Sequence, residues 1–292
     1  MAAGDFGLTQ LNSAVQEIWD QKAEDARYAE GVIVNRVSNK SEAARKKGDR
    51  IHVTIDQKHT VVNVNSSGVF VPQNYTLTTS TILLDQWKAV PIQILDQAAS
   101  QSFWTPDSSF PTNAGKAFAN QYDADLAGEH ANVTAANVVG STSTPSAFGK
   151  GHAQEAMFRL ASTNIPLTSL SFILHPVSYY GGLTNEVQLT AADQSGESKN
   201  VLTTGYKFPL FGVPVYLSTN IVETGTPAVK KNLLLHKSAL AVAWSKNNAF
   251  EKVRSTANLT LADLLVMQSV YGWKTIRDDH FVVINSDAAG AF

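Results

Sequence analysis

Cysteine is absent from the 292-residue sequence, which excludes disulfides, thiolate zinc sites and a cysteine nucleophile. Its absence suits a reducing cytoplasm. Long apolar runs are missing too, since stretches such as 239–244 are far too short to cross a bilayer. Residues 1–10 contain no basic segment followed by an apolar run, so no signal peptide is predicted. We therefore expect no membrane partner.

Charged residues are scarce, at 16% of the chain against 43% hydrophobic residues. A monomer normally covers its exterior with charges, whereas a chain that buries its exterior against copies of itself needs fewer. Lys plus Arg number 23 and Asp plus Glu number 25, which gives a formal charge of −2. No basic excess indicates direct nucleic-acid binding through phosphates. The composition thus favours assembly.

No catalytic, cofactor-binding or metal site is predicted. The seven histidines are not spaced as H-x-H or H-x-x-x-H, the spacings that place two ligands on one strand or helix face. They occupy positions 52, 59, 130, 152, 175, 236 and 280. His175 follows a predicted buried strand and precedes a proline, which favours a structural role over that of a base.

Two further candidates are rejected on spacing. Asp123 and Asp125 lie two residues apart on a predicted helix and so on different faces, which favours solvent or interface charges over an acid/base pair. Lys150 stands between two glycines, but Thr144 occupies the place of a phosphate loop's first glycine and Gly151 that of its Ser or Thr. Asp278 and Asp279 are typical turn residues.

Helices are predicted from apolar stripes at 3.6-residue spacing, and from proline near the start and glycine near the end. The cleanest are Pro111–Gly128, whose stripe is Ala114, Phe118, Tyr122 and Leu126, and Ala153–Ala161. Others are a stripe from Leu11 to Ala26, a short helix after Pro91 within Trp87–Ser102, and a short helix opened by His175-Pro176 that carries Tyr179, Tyr180 and Leu183.

Strands are predicted from alternation and β-branched content. They fall at 51–55, 62–64, 75–84, 170–174, 212–217 and 233–236, and along 261–284 with a break near 277–279. Residues 239–244 form a compact apolar element, 134–149 a loop or domain crossing, and 185–206 a polar loop. Because helices and strands mix without a regular βαβ rhythm, we predict an α+β fold.

Residues 51–84 read as a long hairpin that turns at Ser66-Ser67-Gly68 and is polar on both faces toward its tip. An isolated hairpin is only marginally stable in water. The amphipathic helix in the N-terminal segment likewise has little of its own chain to pack on. We expect the hairpin, and an arm of residues 1–44, to lie on a neighbouring subunit.

The order of these elements resembles the Hong Kong 97-type capsid fold of tailed bacteriophages. Five passages carry the resemblance: Trp87–Asp96, Pro111–Gly128, Ala153–Leu183, Phe211–Val215 and Met267–Ile284. The resemblance implies an N-terminal arm (1–44), an extended hairpin loop or E-loop (45–86), a spine helix and peripheral domain (87–136), an axial domain (137–250) and a return to the peripheral domain (251–292).

The resemblance also implies a function: a major capsid protein of the virion, whose hexamers and pentamers form an icosahedral shell around double-stranded DNA. Its expected partners are itself, a portal protein, DNA bound without sequence specificity, and in some members a cement or decoration protein. Only residues 1–44 precede the hairpin, and the arm uses them, so a separate scaffolding protein is implied. Assembly would occur in the bacterial host cytoplasm. Removal of residues 1–44 should abolish assembly and leave the subunit folded.

Three alternatives stay open. An encapsulin-type compartment shell shares the fold and would hold cargo enzymes instead of DNA. A cytoplasmic enzyme with an unfamiliar site would collect perturbed acid and base residues in one deep pocket. A tail or decoration protein would form tubes, rings or monomers.

Overall fold

The computed structural model describes residues 31–44, 49–64, 66–68, 70–101, 110–183, 209–255 and 262–289. Two predicted features lie outside these residues: the helical stripe from Leu11 to Ala26 and the polar loop 185–206. The described residues contain five α-helices: α1 (Ser41–Ala44), α2 (Asp96–Gln101), α3 (Phe110–Gly128), α4 (Lys150–Ser162) and α5 (Pro176–Gly181). Short 3-10 helices span Val34–Arg36, Glu129–Asn132 and Ala135–Asn137.

The strands of the described residues form three sheets. In chain order they are β1 (Ser38–Asn39), β2 (Arg50–Ile55), β3 (Thr78–Leu83), β4 (Gln86–Leu95), β5 (Val138–Val139), β6 (Leu170–Leu174), β7 (Val215–Leu217), β8 (Glu223–Thr224), β9 (Val229–His236), β10 (Leu240–Ser255), β11 (Ala262–Thr275) and β12 (Phe281–Asp287). The mixture of helices with largely antiparallel sheets confirms the α+β prediction.

The six-stranded sheet has the order β5-β12-β9-β6-β7, and β8 pairs with β9. All of β6 is buried, as a run of consecutive apolar residues predicts for a strand covered on both faces. Helices α4 and α5 cover one face: Ala156 and Leu160 of α4 and Tyr179 of α5 belong to a core cluster with Leu174 of β6. Both helices and β6 are therefore confirmed.

The four-stranded sheet has the order β1-β10-β11-β4 and carries the long helix α3 on one face. The buried residues of α3 include the predicted stripe, and Phe118 and Tyr122 pack with Leu265 and Tyr271 of β11. The helix begins beside Pro111 and ends at Gly128, so its predicted limits are correct to one residue. The apolar element 239–244 is the buried start of the long strand β10.

The short helix predicted after Pro91 begins four residues later than expected, because a strand occupies the residues before it. Residues 86–95 form strand β4, and the helix that follows covers only Asp96–Gln101. Pro91 lacks an N–H and normally excludes a central strand, but β4 lies at the edge of its sheet and pairs with β11 alone. At an edge the missing donor faces away from the ladder, so proline is tolerated.

Candidate assembly surfaces

The third sheet is a ribbon, by which we mean β2, β3 and the chain between them (residues 50–83). Six residue pairs form its ladder, from Arg50 with Leu83 to Ile55 with Thr78. At its base, Ile51 and Ile82 are buried against Ala241 and Ala243 of β10. Beyond the ladder the chain runs on to a turn at 66–68, as predicted, but the described residues of 56–77 form no strand, so the strand predicted at 62–64 is wrong.

Two glutamine side chains hold the far part of the ribbon together in place of a ladder. The Gln57 amide donates to the carbonyl of Asn74 (2.8 Å) and accepts from the N–H of Thr76 (3.0 Å). The Gln73 amide accepts from the N–H of Thr60 (3.2 Å) and donates to its carbonyl. These Gln clasps fix the spacing of the two chains while the rest of their backbone forms no ladder.

Every described side chain from 58 to 79 is exposed, and several are large and apolar. The exposed apolar side chains are those of Val61, Val62, Val64, Phe70, Val71, Tyr75 and Leu77. Val61 is fully exposed, at 100%. Covering apolar surface contributes about 25 cal/mol per Å², and a contiguous exposed patch usually marks an interaction site. The ribbon tip therefore gains stability only from a surface outside the described fold.

The ribbon leaves the body at a contact that only glycine permits. A Cβ on Gly272 of β11 would lie 1.7 Å from the carbonyl oxygen of Leu83, so the backbone of β3 crosses β11 at van der Waals distance. The N–H of Leu84 also donates to the carbonyl of Asp49 (2.8 Å), which closes the base. The ribbon's direction is thus set by a rigid base, although its far part lacks a ladder.

The segment before β1 is fixed to the long helix by Asp123. This carboxylate accepts the N–H groups of Val32 (2.6 Å), Ile33 (3.1 Å) and Val34 (2.9 Å) and is 0% exposed. Burial raises the pKa of Asp123, and the three backbone N–H groups act in the opposite direction. Asp123 is therefore an internal clip, and its prediction as a solvent or interface charge is wrong.

The clip also changes where the arm can be cut. Ile33 and Val37 are buried in the core between α3 and the sheets, and β1 pairs with β10. Removal of residues 1–44 would take away these core side chains, so we no longer expect that truncation to leave a folded subunit. A cut before Gly31 spares the clip.

Asp125 is internal as well. Its carboxylate accepts from Lys88 Nζ of β4 (2.9 Å), from the Tyr271 hydroxyl of β11 and from the Gln121 amide (2.9 Å). Burial raises the pKa of Tyr271, and the hydrogen bond to Asp125 adds to the shift. The two carboxylates do lie on different sides of α3, as predicted, but both hold it to other parts of the subunit. Their partners are distant in sequence, so helix periodicity gave no sign of them.

The second exposed apolar surface lies on the face of the four-stranded sheet opposite α3, on the part that the ribbon base leaves uncovered. Trp87 is 74% exposed there, and its indole N–H donates to Gln268 (3.1 Å). Leu95 and Val253 are also exposed, and the registers β4–β11 and β10–β11 place them on the same face as Trp87. An open sheet face of this kind can accept a flat partner.

The described residues contain no group of three or more His, Asp or Glu side chains that could hold a metal ion. The Nδ1 atom of His175 accepts the N–H of Val177 (3.2 Å), so this side chain caps the start of α5. Lys150 is the first residue of α4, and Asp278 and Asp279 form the turn between β11 and β12, as predicted. Among the described helices none is long and apolar enough to span a membrane.

Comparison with known proteins identifies solved structures with the same architecture. No protein-family profile and no curated protein matches the chain. Solved structures do match it over nearly its whole length. One titled Mycobacterium phage Che8 is 21% identical with a TM-score of 0.73, covering 92% of this chain and 96% of its own. The capsid structure of cyanophage P-SCSP1u is 12% identical with a TM-score of 0.75, covering 94% of both chains.

A third structure, the capsid asymmetric unit of cyanophage Pam1, is 11% identical with a TM-score of 0.75 and covers 99% of this chain and 100% of its own. At such identities the likeness concerns the fold. It covers 92–99% of this chain, and the agreement confirms the predicted fold. The chain has the Hong Kong 97-type fold of tailed-phage capsid proteins.

Proposed function

We propose that the chain is the major capsid protein of a tailed double-stranded DNA phage and assembles into the hexamers and pentamers of an icosahedral shell. The observation that carries the proposal is the ribbon, whose described residues from 58 to 79 are all exposed although they include Val61, Phe70 and Val71. In a protein that stays monomeric, such a projection would contribute nothing to stability, because its apolar side chains would remain in water. A neighbouring copy supplies the missing surface.

Assembly of this kind requires that one surface of a subunit binds a different surface of a second copy. A ribbon that binds a neighbour's body makes a head-to-tail contact, and such contacts generate closed rings when the rotation between copies closes. Rings of five and six are the capsomers of a shell. Each interface can have the size of an ordinary protein–protein contact, because the stability of the shell is the sum over many interfaces.

The sequence-derived regions become part of the proposal. We assign 1–44 to the arm, 45–86 to the E-loop, 87–136 to the spine helix and peripheral domain, 137–250 to the axial domain and 251–292 to the return to the peripheral domain. The open face around Trp87 then belongs to the peripheral domain, and most of the six-stranded sheet to the axial domain. The sheets do not follow these boundaries fully, because β12 lies in 251–292 and β10 of the four-stranded sheet begins within 137–250.

Partners other than the chain itself follow from the same proposal. They are a separate scaffolding protein during assembly in the host cytoplasm, a portal protein, a cement or decoration protein where the lattice needs one, and packaged DNA. The formal charge of −2 favours a container wall that holds DNA without sequence-specific contacts. The mature location is the virion, and the role is structural.

The test is assembly of the full chain, expressed with and without its candidate scaffolding protein and imaged by negative-stain electron microscopy. We expect uniform closed shells. The variant Val61→Asp/Val71→Asp should prevent them, because it places charge in the surface that a neighbour buries. Its control, Asn63→Asp, adds negative charge to the same exposed segment and removes no apolar surface, so it should still form shells.

Several results would contradict the proposal. Monomers under both conditions would remove the need for the ribbon and return attention to an enzymatic function. Tubes or open rings would favour a tail or decoration protein. Closed shells that carry a cargo enzyme in place of DNA would favour the encapsulin-type compartment. Shells formed equally well by Val61→Asp/Val71→Asp would show that the ribbon tip does not carry the contact.

A further inference from the structure

The chain connects the four-stranded and six-stranded sheets through three segments that meet at one junction. They are 129–137, 237–239 and 276–280. The carbonyl of Ala239 accepts the N–H groups of both Ile276 (2.8 Å) and Arg277 (3.1 Å). The Asn137 amide donates to the carbonyl of Asp279 (2.9 Å), which ties the first connection to the third. The junction therefore joins the two sheets both through the chain and through hydrogen bonds between the connections.

A histidine pair lies at its centre. His236 ends β9, His280 precedes β12, and their rings are 5.6 Å apart in an edge-to-face arrangement. The hydroxyl of Ser238 lies 2.8 Å from the Nδ1 atom of each ring. Sequence spacing gave no sign of this cluster, because 44 residues separate the two histidines and a whole strand pair brings them together.

The hydrogen bonds fix the protonation state of His236. Its Nδ1 atom accepts the backbone N–H of Ser238 (3.2 Å), so Nδ1 carries no proton. In the neutral imidazole the single proton is then on Nε2. Burial lowers the pKa of His236, and the backbone of Thr168 acts in the opposite direction. With Nδ1 as an acceptor, the Ser238 hydroxyl donates to it and accepts from Nδ1–H of His280. This chain of bonds needs a neutral His236.

A second proton on His236 would occupy Nδ1 and face the Ser238 N–H with another donor. Two N–H donors would then face each other and repel. The turn 236–239 would lose the hydrogen bond from the Ser238 N–H to the His236 ring. His280 differs, because its free Nε2 lies 3.8 Å from the Asp279 carboxylate, which can accept a proton-bearing nitrogen. His236 is therefore the sensitive member of the pair.

The other charges around the pair act mainly against protonation. Burial lowers the pKa of both imidazoles, and Arg277 lowers both further. Lys58 of the ribbon lowers the pKa of His280, whereas Asp279 raises it. The folded junction consequently binds fewer protons than an opened one. The two histidines therefore lower the stability of the closed junction as the pH falls below their ordinary pKa of about 6.5. Above that value their contribution does not change with pH.

We propose that this junction is a proton-sensitive coupling between the two sheets: proton binding at His236 breaks the Ser238 turn and frees the sheets to change their relative orientation. The inference rests on the described fold and goes beyond the proposed function. Within a shell it would let acidification change the subunit's shape while the hydrogen bonds inside each sheet stay intact. It needs no ligand, because the proton is the effector.

The test is hydrogen exchange of the Ser238 amide in the full chain at about pH 7.5 and about pH 5.5, corrected for the intrinsic exchange rate. If the opened imidazole has its ordinary pKa, opening should become about tenfold more frequent at the lower pH. In His236→Asn the side-chain oxygen still accepts the Ser238 N–H but does not titrate, so the pH effect should shrink to less than about twofold.

A matched control is His52→Asn. His52 also bonds through Nδ1 to a hydroxyl, that of Thr81 (2.9 Å), but lies on the exposed ribbon, so this variant should keep the tenfold change. Unchanged Ser238 protection in the native chain would overturn the proposal, as would a full pH effect in His236→Asn. Should that variant fail to fold, NMR of the native chain decides: His236 must titrate below the ordinary value together with the Ser238 amide. The readout does not depend on assembly, so failure to form shells would leave it standing.

Discussion

The six-stranded sheet and the ribbon use their apolar residues in opposite ways. In the sheet, Phe172 is 0% exposed and its strand is buried along its whole length. In the ribbon, Phe70 is 59% exposed, and the described residues around it form no ladder. The sheet completes its hydrogen bonds and its packing within one chain. Within the described residues the ribbon completes neither, which is the reason for proposing that a neighbouring copy covers it.

The comparison shows that the exposed apolar side chains of the ribbon lie beyond a base that is packed firmly on the body. The ribbon base rests on β10 and on the glycine contact at Gly272, and the segment before β1 is held by Asp123. The ribbon and the segment 31–37 are therefore both held at fixed points on the body. Substitutions matched between the two regions can separate subunit stability from assembly.

The largest expected effect on the subunit comes from Phe172→Ala. It should lower the free energy of unfolding by about 3–5 kcal/mol, because it removes a large buried side chain and leaves a cavity. Phe70→Ala should change the same quantity by less than about 0.5 kcal/mol, as at an ordinary surface site. Urea denaturation of the unassembled chain measures both. Equal losses would mean that the ribbon is part of the subunit's own core.

A smaller effect is expected from Asp123→Asn. One amide oxygen cannot replace a carboxylate that accepts three backbone N–H groups, and the amide's own N–H₂ faces them, so we expect a loss of about 1–3 kcal/mol. Asp56→Asn on the exposed ribbon is the control and should be neutral. Denaturant unfolding gives the free energies, and hydrogen exchange of Ile33 should rise only in Asp123→Asn. A neutral Asp123→Asn would mean that the clip contributes nothing.

The stability of the six-stranded sheet should also depend modestly on pH, whereas the ribbon should contribute no such dependence. Burial lowers the pKa of His175, and the nearby Lys230 lowers it further, so the stability of the six-stranded sheet should fall as the pH drops below about 6.5. Because the ring is partly exposed, we expect about 0.5 kcal/mol from this site after solvent screening. His175→Asn keeps a good helix N-cap and should remove that part of the fall.

Thermal unfolding across this pH range measures the difference between His175→Asn and the native chain. His59→Asn provides the comparison in the ribbon, where the ring stacks on Tyr75. It should leave the pH dependence unchanged. If both variants alter it equally, burial is not the cause.

The smallest effect on unfolding is expected from Gln73→Ala, below about 0.5 kcal/mol, because the clasp is solvent-exposed. Its consequence should be local: exchange of the Thr60 amide should rise, while that of the six-stranded sheet stays constant. Gln93→Ala, on the exposed edge strand β4, is a matched glutamine control. A global loss of stability in Gln73→Ala would show that the ribbon folds as one unit with the body.

Much of the fold was predictable because local signals agreed with the final packing. The stripe on α3 and its flanking proline and glycine specified both its limits and its buried face, and the apolar run of β6 indicated a strand covered on both sides. The prediction failed at β4, because sheet position and not local sequence decides whether Pro91 is tolerated.

The internal contacts of charged residues were not predictable for a different reason. Asp123 binds backbone N–H groups about 90 residues away, and backbone groups leave no sequence signature. His236 and His280 meet only because two sheets share one junction. Spacing rules detect ligands on a single element, so they miss clusters that the tertiary fold creates.

The Gln clasps have a consequence for the free subunit before it finds its neighbours. Unpaired strands in solution pair with any other unpaired strand, and this is a common route to aggregation. The Gln57 and Gln73 side chains occupy backbone groups of Thr60, Asn74 and Thr76 that a foreign strand would otherwise bind. Fewer backbone groups of the ribbon are therefore open to a foreign strand, so the clasps act against strand-to-strand aggregation.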